Sequence, residues 1–429
     1  MELDRITPPK TRPITELNIP YPEERILKNG IPLRMMKTGT EEVVRLDIIV
    51  NGGRLATRQP FLSLLTNRML REGSQHYTSS VIAEKLDYYG ASLELSMSLK
   101  KEFVTLYSIN KYFPQTLAVV ADMVKHPTFP EQELKTVLEM NKQQFRVMEN
   151  KVDTISRKVM NQALFGAKHP MGYYAKVDDF DQLNIHSIKA YYRDHYYSNN
   201  TTIFLSGNVT QEIIQCIENQ LGEEPWGIDR PKFEAKPFRV STSKEKLFFV
   251  EKPDAIQSSL KMGYLTIGRN HPDYAKLRVL VVLLGGYFGS RLMKNIRERK
   301  GYTYGIDSTL MSIPKKSVFQ VSTEADNQYV PAIIKETKKQ LDRLCTVKVG
   351  QAELNMVKNY MLGDFCRSFE GPFSLSDAWI YIETNGLDMN FYQRLVEAIR
   401  TVSRDDILRL AQIYLCKENL IEVVTGEKM

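Results

Sequence analysis

Residues 288–308 read FGSRLMKNIRERKGYTYGIDS. The pattern predicts a short basic helix, Ser290 to Lys300, then Gly301, then a strand from about Tyr302. Glycine is suited to ending a helix, because it enters the left-handed region without a Cβ penalty. Ser290 offers an N-cap hydroxyl, and the Lys/Arg-rich last turn complements the negative end of the helix dipole. Arg297 therefore falls in the last helical turn and Tyr304 early in the strand. A fold-back at Gly301 would bring a guanidinium and a phenol to one side of a cleft, where the protein's chemistry is expected. On spacing alone the same two residues read as a solvated helix-end arginine and a half-buried strand tyrosine.

Outward from this stretch, strands at Lys246–Val250 and Ser258–Ile267 and an apolar helix at Asp273–Leu284 lead into it. A strand at Ser317–Thr323, helices at Val330–Leu344, Glu353–Phe365 and Arg404–Tyr414, and a strand at Asn419–Thr425 follow. The first half runs in the same order. Asn29-Gly30 marks a hairpin within Arg25–Met36. Strands are predicted at Glu42–Val50, Leu93–Leu99, Phe103–Ile109 and Thr202–Leu205, by alternation of apolar and polar residues. Helices are predicted at Pro60–Glu72, Val81–Tyr89, Pro114–Lys125 and Ile185–Tyr196, with one long helix from Pro130 to about Phe165.

Tyr112-Phe113-Pro114 answers Tyr329-Val330-Pro331 at a spacing of 217 residues, and Gly207 answers Gly426 at 219. Two distant markers at nearly one offset argue for an internal duplication. Between the halves, residues 223–244 hold three prolines, many charges and no sustained period, so they read as a linker. The expected fold is α+β: two duplicated α/β domains, 1–222 and 245–429, each with helices packed on a largely antiparallel sheet. They would face each other across the linker as a half-clamshell.

The composition excludes several classes. No run of eighteen apolar residues exists, so no membrane insertion is expected. The net charge of +7 is spread among acids without a basic stripe, which argues against nucleic-acid binding. The proline-interrupted start, MELDRITPPKTRPITELNIPYPEE, lacks the apolar core of a signal peptide and reads as a partly extended cytoplasmic leader. Cys216, Cys345, Cys366 and Cys416 show no paired spacing and are expected as buried thiols in a reducing compartment. The six histidines, at 76, 126, 169, 186, 195 and 271, show no metal-ligand spacing. Gly285-Gly286 with Gly289-Ser290 lacks the G-K-[ST] ending of a phosphate loop and reads as a tight turn.

The segments KNGIPLRM, RMLREGS, HPTFPEQEL, KHPMGYY, AYYRDHYYSNNTTIFLSGNV, LGGYFGSRLMKNIRERKGYTYG and AELNMVKNYMLGD occur in that order along nearly the whole chain. Together they resemble the insulinase/pitrilysin family of inverted-motif zinc peptidases. The resemblance implies a zinc site on the first helix, H-x-x-E-H, plus a downstream glutamate. Two histidines one turn apart share the metal, and the enclosed glutamate serves as base for its water. The matching positions here are Leu64, Asn67 and Arg68, with Gln144 at the distant glutamate. Leucine cannot ligate, the amides have no useful basicity, and Arg68 repels a dication. No catalytic zinc is therefore expected in this chain.

Arg297 and Tyr304 match, by the same resemblance, a pair that faces the zinc domain and binds the substrate backbone and the developing oxyanion. A fixed cation and a neutral phenolic donor suit charge that appears only in the transition state. Gln257 precedes a strand expected at the sheet edge, where the resemblance implies pairing with extended peptide. The implied role is the non-zinc subunit of a zinc endopeptidase, working with an H-x-x-E-H partner that holds the zinc, as a heterodimer or heterotetramer. Two other readings remain: an inactive scaffold or peptide-binding module, and an enzyme acting alone through other chemistry.

Overall fold

The computed structural model describes residues 19–428, so the leader reading falls mostly outside the described residues. Among the described residues eleven strands form two sheets: β1 Glu23–Ile26, β2 Pro32–Met36, β3 Val43–Asn51, β4 Ser92–Met97, β5 Lys101–Ile109 and β6 Thr201–Gly207 make the first. The second holds β7 Leu247–Glu251, β8 Ser258–Ile267, β9 Thr303–Ile313, β10 Lys316–Ala325 and β11 Ile421–Gly426. The helices of the first half are α1 Leu62–Met69, α2 Ser79–Tyr88, α3 Phe113–Lys125, α4 Glu131–Glu149, α5 Val152–Phe165, α6 Ile185–His195 and α7 Gln211–Ile217. Those of the second are α8 Tyr274–Gly285, α9 Val330–Thr346, α10 Gln351–Arg367, α11 Pro372–Asn385, α12 Phe391–Thr401 and α13 Arg404–Tyr414.

The strand orders are β1-β2-β6-β3-β5-β4 and β7-β11-β8-β10-β9. With β1 set aside, the two orders are the same, strand for strand. Each has one parallel pair, β2 with β6 and β7 with β11, and antiparallel pairing elsewhere. The duplication is therefore one of topology as well as of sequence markers. Residues 223–246 contain no helix or strand, yet they are tied down: Ser241 N donates to Phe165 O and Phe233 N to Asn200 Oδ1.

The long helix expected over 130–165 is two helices. Asn150 turns its side chain back onto Arg146 O and Lys151 is extended, so the chain reverses there. The break lets α5 leave its own sheet and pack across β8 and β11 of the other half. Its residues Met160, Leu164 and Phe165 share a core cluster with Val318, Ile421 and Val423. α11, which starts 220 residues after α5, does the reverse and packs on β6 and β2. There Trp379 and Ile382 share a core with Met36, Ile49 and Phe204. The halves thus exchange equivalent helices, and neither sheet is covered by its own half alone.

Further differences from expectation have local causes. α7, α11 and α12 carry no sequence prediction; α11 buries Leu375, Ala378, Trp379, Ile380 and Ile382 around most of its circumference, which leaves no single apolar stripe. Strand β8, after Gln257, lies between β11 and β10, so it is interior; the edges of the two sheets are β1, β4, β7 and β9. The four cysteines are free and half-buried rather than buried. Among the described residues no helix is long and apolar enough to cross a membrane.

Candidate functional site

The helix before Gly301 is wound as a π-helix over Met293–Arg299, a widened geometry that often marks functional sites. Ser290 does not cap it: its Oγ is buried without a partner. Gly301 has φ 66°, the left-handed value the turn needs, and its N–H donates to Arg297 O at 3.0 Å. Tyr302 N then donates to Ile296 O at 3.1 Å, so the strand leaves close beside the helix end.

The next residues carry a bulge. On β9, Tyr304 and Gly305 together stand opposite the single residue Glu324 of β10, because the register shifts between Thr323 and Ala325. Thr303 Oγ1 donates to Glu324 O at 2.6 Å and Thr323 Oγ1 to Gly305 O at 2.7 Å, which pins the irregularity. Bulges re-aim side chains, and here Tyr304 is left 89 % exposed. The same fold-back places the Arg297 guanidinium 5.5 Å from the Tyr304 ring centre. The Phe288 ring centre lies 4.4 Å from the same guanidinium. Two rings hold the guanidinium without using its N–H groups. Among the described residues, neither the Arg297 side chain nor the Tyr304 hydroxyl has an ion pair or hydrogen bond. The geometry presents a cation and a phenolic O–H with their donors free.

The rest of the basic face is partly neutralised. Arg291 grips Glu353 with two bonds of 2.8 and 2.9 Å, and Lys300 lies 3.4 Å from Glu336. Beside the pair a cavity of about 780 Å³ has Phe288 and Gly305 in its wall, and Asp153 of α5 and Asp307 facing it.

The first-half positions are drawn apart. Leu64 lines a small cavity of about 150 Å³ with Arg54 and Met97, while Arg68 and Gln144 line a separate groove of about 770 Å³ between α1 and α4. Arg68 donates to Asn141 Oδ1 and, among the described residues, has no carboxylate partner; burial, then Arg71, pulls its ionisation downward. Asn67 is fully buried and turned inward. Its Nδ2 donates to Tyr196 Oη at 3.2 Å and Phe103 O at 3.3 Å, and its Oδ1 has no partner. Behind it, Glu102 accepts from the Tyr191 and Tyr196 hydroxyls and from Gly53 N. This donor set does not fit a zinc ion: it offers an alkyl group, an inward-facing amide, a cation and a second amide. Among the described residues no group of three His, Cys, Asp or Glu could hold a metal.

The histidines are structural where they are buried. His169 Nδ1 accepts from Met171 N at 3.1 Å, which fixes a turn, and His195 stacks on Tyr191 at 4.1 Å. Sequence reasoning missed Phe288, the bulge, and the Asn67–Tyr196–Glu102 cluster. The aromatic immediately before the basic helix was a readable signal for the first. The other two are long-range.

Residues 36–171 match the family model for insulinase (peptidase family M16), and residues 182–361 match the model for the peptidase M16 inactive domain. The chain belongs to the M16 peptidase family. The first match contains Leu64, Asn67, Arg68 and Gln144; the second contains Arg297 and Tyr304. An uncharacterized zinc protease, YmxG, of Bacillus subtilis is 26 % identical over 81 % of this chain and 84 % of its own. A non-peptidase homolog, also YmxG, of Helicobacter pylori is 24 % identical over 83 % of this chain and 82 % of its own. The crystal structure of a peptidase M16 inactive domain from Pseudomonas fluorescens has the same fold, with TM-score 0.85, 20 % identity and coverage of 95 % and 98 %. This M16 chain therefore has the family's two-domain fold and an inactive-type second half.

Proposed function

We propose that this chain is the non-zinc subunit of a heteromeric M16 endopeptidase. Its partner would be an H-x-x-E-H family member that holds the zinc, and the two chains would close one cytoplasmic chamber. The observation that carries this reading is the unpaired Arg297–Tyr304 clasp, held by Phe288, the π-wound helix end and the β9 bulge, in a chain whose zinc positions are Leu64, Asn67, Arg68 and Gln144. A site with no remaining role need not keep a half-buried arginine against two rings with no carboxylate beside it.

In this reading a zinc held by the partner's H-x-x-E-H residues would activate the hydrolytic water. Arg297 holds a substrate carbonyl by charge-assisted hydrogen bonds, and Tyr304, staying neutral, donates a hydrogen bond to the oxygen on which negative charge develops. Peptide substrates would be bound in extended form.

The experiment is co-expression with an H-x-x-E-H M16 protein, followed by zinc analysis of each separated chain and a peptide-cleavage assay. One zinc per partner chain, none here, and cleavage only by the complex are expected. A second reading, a non-catalytic scaffold, is favoured by the naming of the Helicobacter pylori relative as a non-peptidase homolog. It would be supported by a stable complex whose cleavage rate equals that of the partner alone.

A further inference from the structure

A second concave site lies far from the clasp. β9 runs from Thr303 to Ile313, so at about 3.3 Å per residue its ends stand roughly 30 Å apart. At the Ile313 end a cavity of about 650 Å³ is lined by Lys100, Arg269, His271, Lys315, Lys316 and Asn385. These residues come from four places: the β4–β5 turn of the first half, the C-terminus of α11, the β8–α8 connection, and the β9–β10 turn with the first residue of β10.

Its lining contains no carboxylate. Among the described residues Lys100, Arg269, Lys315 and Lys316 make no ion pair. Carboxylates close in sequence are engaged elsewhere: Asp273 with Arg409 at 2.8 Å, and Glu383 with Arg34 at 3.0 Å. The Arg269 guanidinium rests on the Tyr381 ring at 5.0 Å, with Nη1 buried and without an acceptor. Next door, Lys101 is pulled down to about 8, by burial first and then by the positive charges of Lys232 and Lys100, against the opposing charge of Glu383. Arg269 and three exposed lysines thus line one small concavity that holds no carboxylate.

We propose that this cavity binds a small polyanion carrying a chain of phosphate groups. The volume is that of a small-molecule site. Lysines supply point charges and arginine a fork for phosphate oxygens. Phosphates linked in a chain concentrate charge on neighbouring groups, as four cations around one hollow require. An extended acidic peptide spreads its carboxylates along the backbone.

The test is calorimetric titration of the full chain with inorganic tripolyphosphate and, separately, with ATP, both metal-free, at about 50 mM and about 200 mM salt. The variants are Lys315→Gly with Lys316→Gln, and Arg269→Gln. Lys315 has φ 66°, so glycine removes its charge without straining the turn. The expected result is one tripolyphosphate per chain, weaker at higher salt, and weakened at least tenfold in both variants while their melting temperatures without ligand stay close to wild type. ATP binding as well as tripolyphosphate indicates recognition of the phosphate chain alone; tighter ATP binding adds a contact to the base. No binding of either ligand at low salt overturns the proposal. So does undiminished binding in both variants, or tighter binding of an oligoglutamate peptide.

Discussion

Asn67 donates from its side-chain nitrogen to the phenol oxygen of Tyr196 at 3.2 Å. That phenol in turn donates to Glu102, whose carboxyl is entirely buried. The position that the sequence resemblance matches to the family's general base is here a neutral link in an inward-facing cluster. A glutamate at this position would set a second carboxyl beside Glu102. Asn67→Glu should therefore cost about 3 kcal/mol of stability near pH 8, and less near pH 5, where the new group can hold a proton and donate as the amide does. Urea unfolding at the two pH values measures this; equal stability of variant and parent at both would contradict it.

Glu102 itself makes a pH-dependent contribution. Burial pushes its carboxyl up, against the opposing donors Tyr191, Tyr196 and Gly53 N. The folded state thus keeps this proton at pH values where the unfolded chain has released it, so stability falls as pH rises above the ordinary carboxylate range. Glu102→Gln keeps the shape and removes the ionisation. The decline in melting temperature between about pH 5 and about pH 8 should be shallower in the variant. An unchanged slope would mean that Glu102 is ionised in the folded protein.

The exchange of α5 and α11 makes each half depend on the other for cover. Calorimetry should show one cooperative unfolding transition, and residues 19–222 or 245–428 alone should not give a stable folded domain. Trp379 is 3 % exposed, on α11, and its Nε1 donates to Pro20 O at 2.8 Å. Trp379→Ala should cost about 3–5 kcal/mol and lower the whole transition. Two separate transitions, with only one shifted, would show that the halves are independent.

Phe288 orients the clasp from behind. Losing a ring contact to a guanidinium is worth about 1 kcal/mol, so Phe288→Ala should lower kcat/KM of the complex about fivefold to tenfold. Complex formation should be intact by gel filtration. The same turnover as wild type would show that Tyr304 and the helix end alone place the arginine.

Much of this architecture was legible in local sequence. Alternation and helical spacing located most strands and helices, and Gly301 announced the fold-back that joins Arg297 to Tyr304. The identities of Leu64, Asn67, Arg68 and Gln144 carried the expectation that this set does not fit zinc, because ligation depends on residue type. What was hidden depends on distant neighbours. The break at Asn150 has meaning only because α5 must reach the other sheet. α11 has no stripe because it is wrapped by two halves. The interior place of β8 is decided by β11, which arrives more than 150 residues later. The bulge at Tyr304 needs the register of β10, and the basic hollow needs turns from both halves.

The most direct test of the division of labour is peptide turnover by the purified complex with an H-x-x-E-H partner, comparing wild type with Arg297→Ala and Tyr304→Phe. Removing one such donor costs about 10²–10³ in kcat, and each variant should show a loss of that size with the complex still assembled and the partner's zinc retained. Full turnover in both variants would contradict the account.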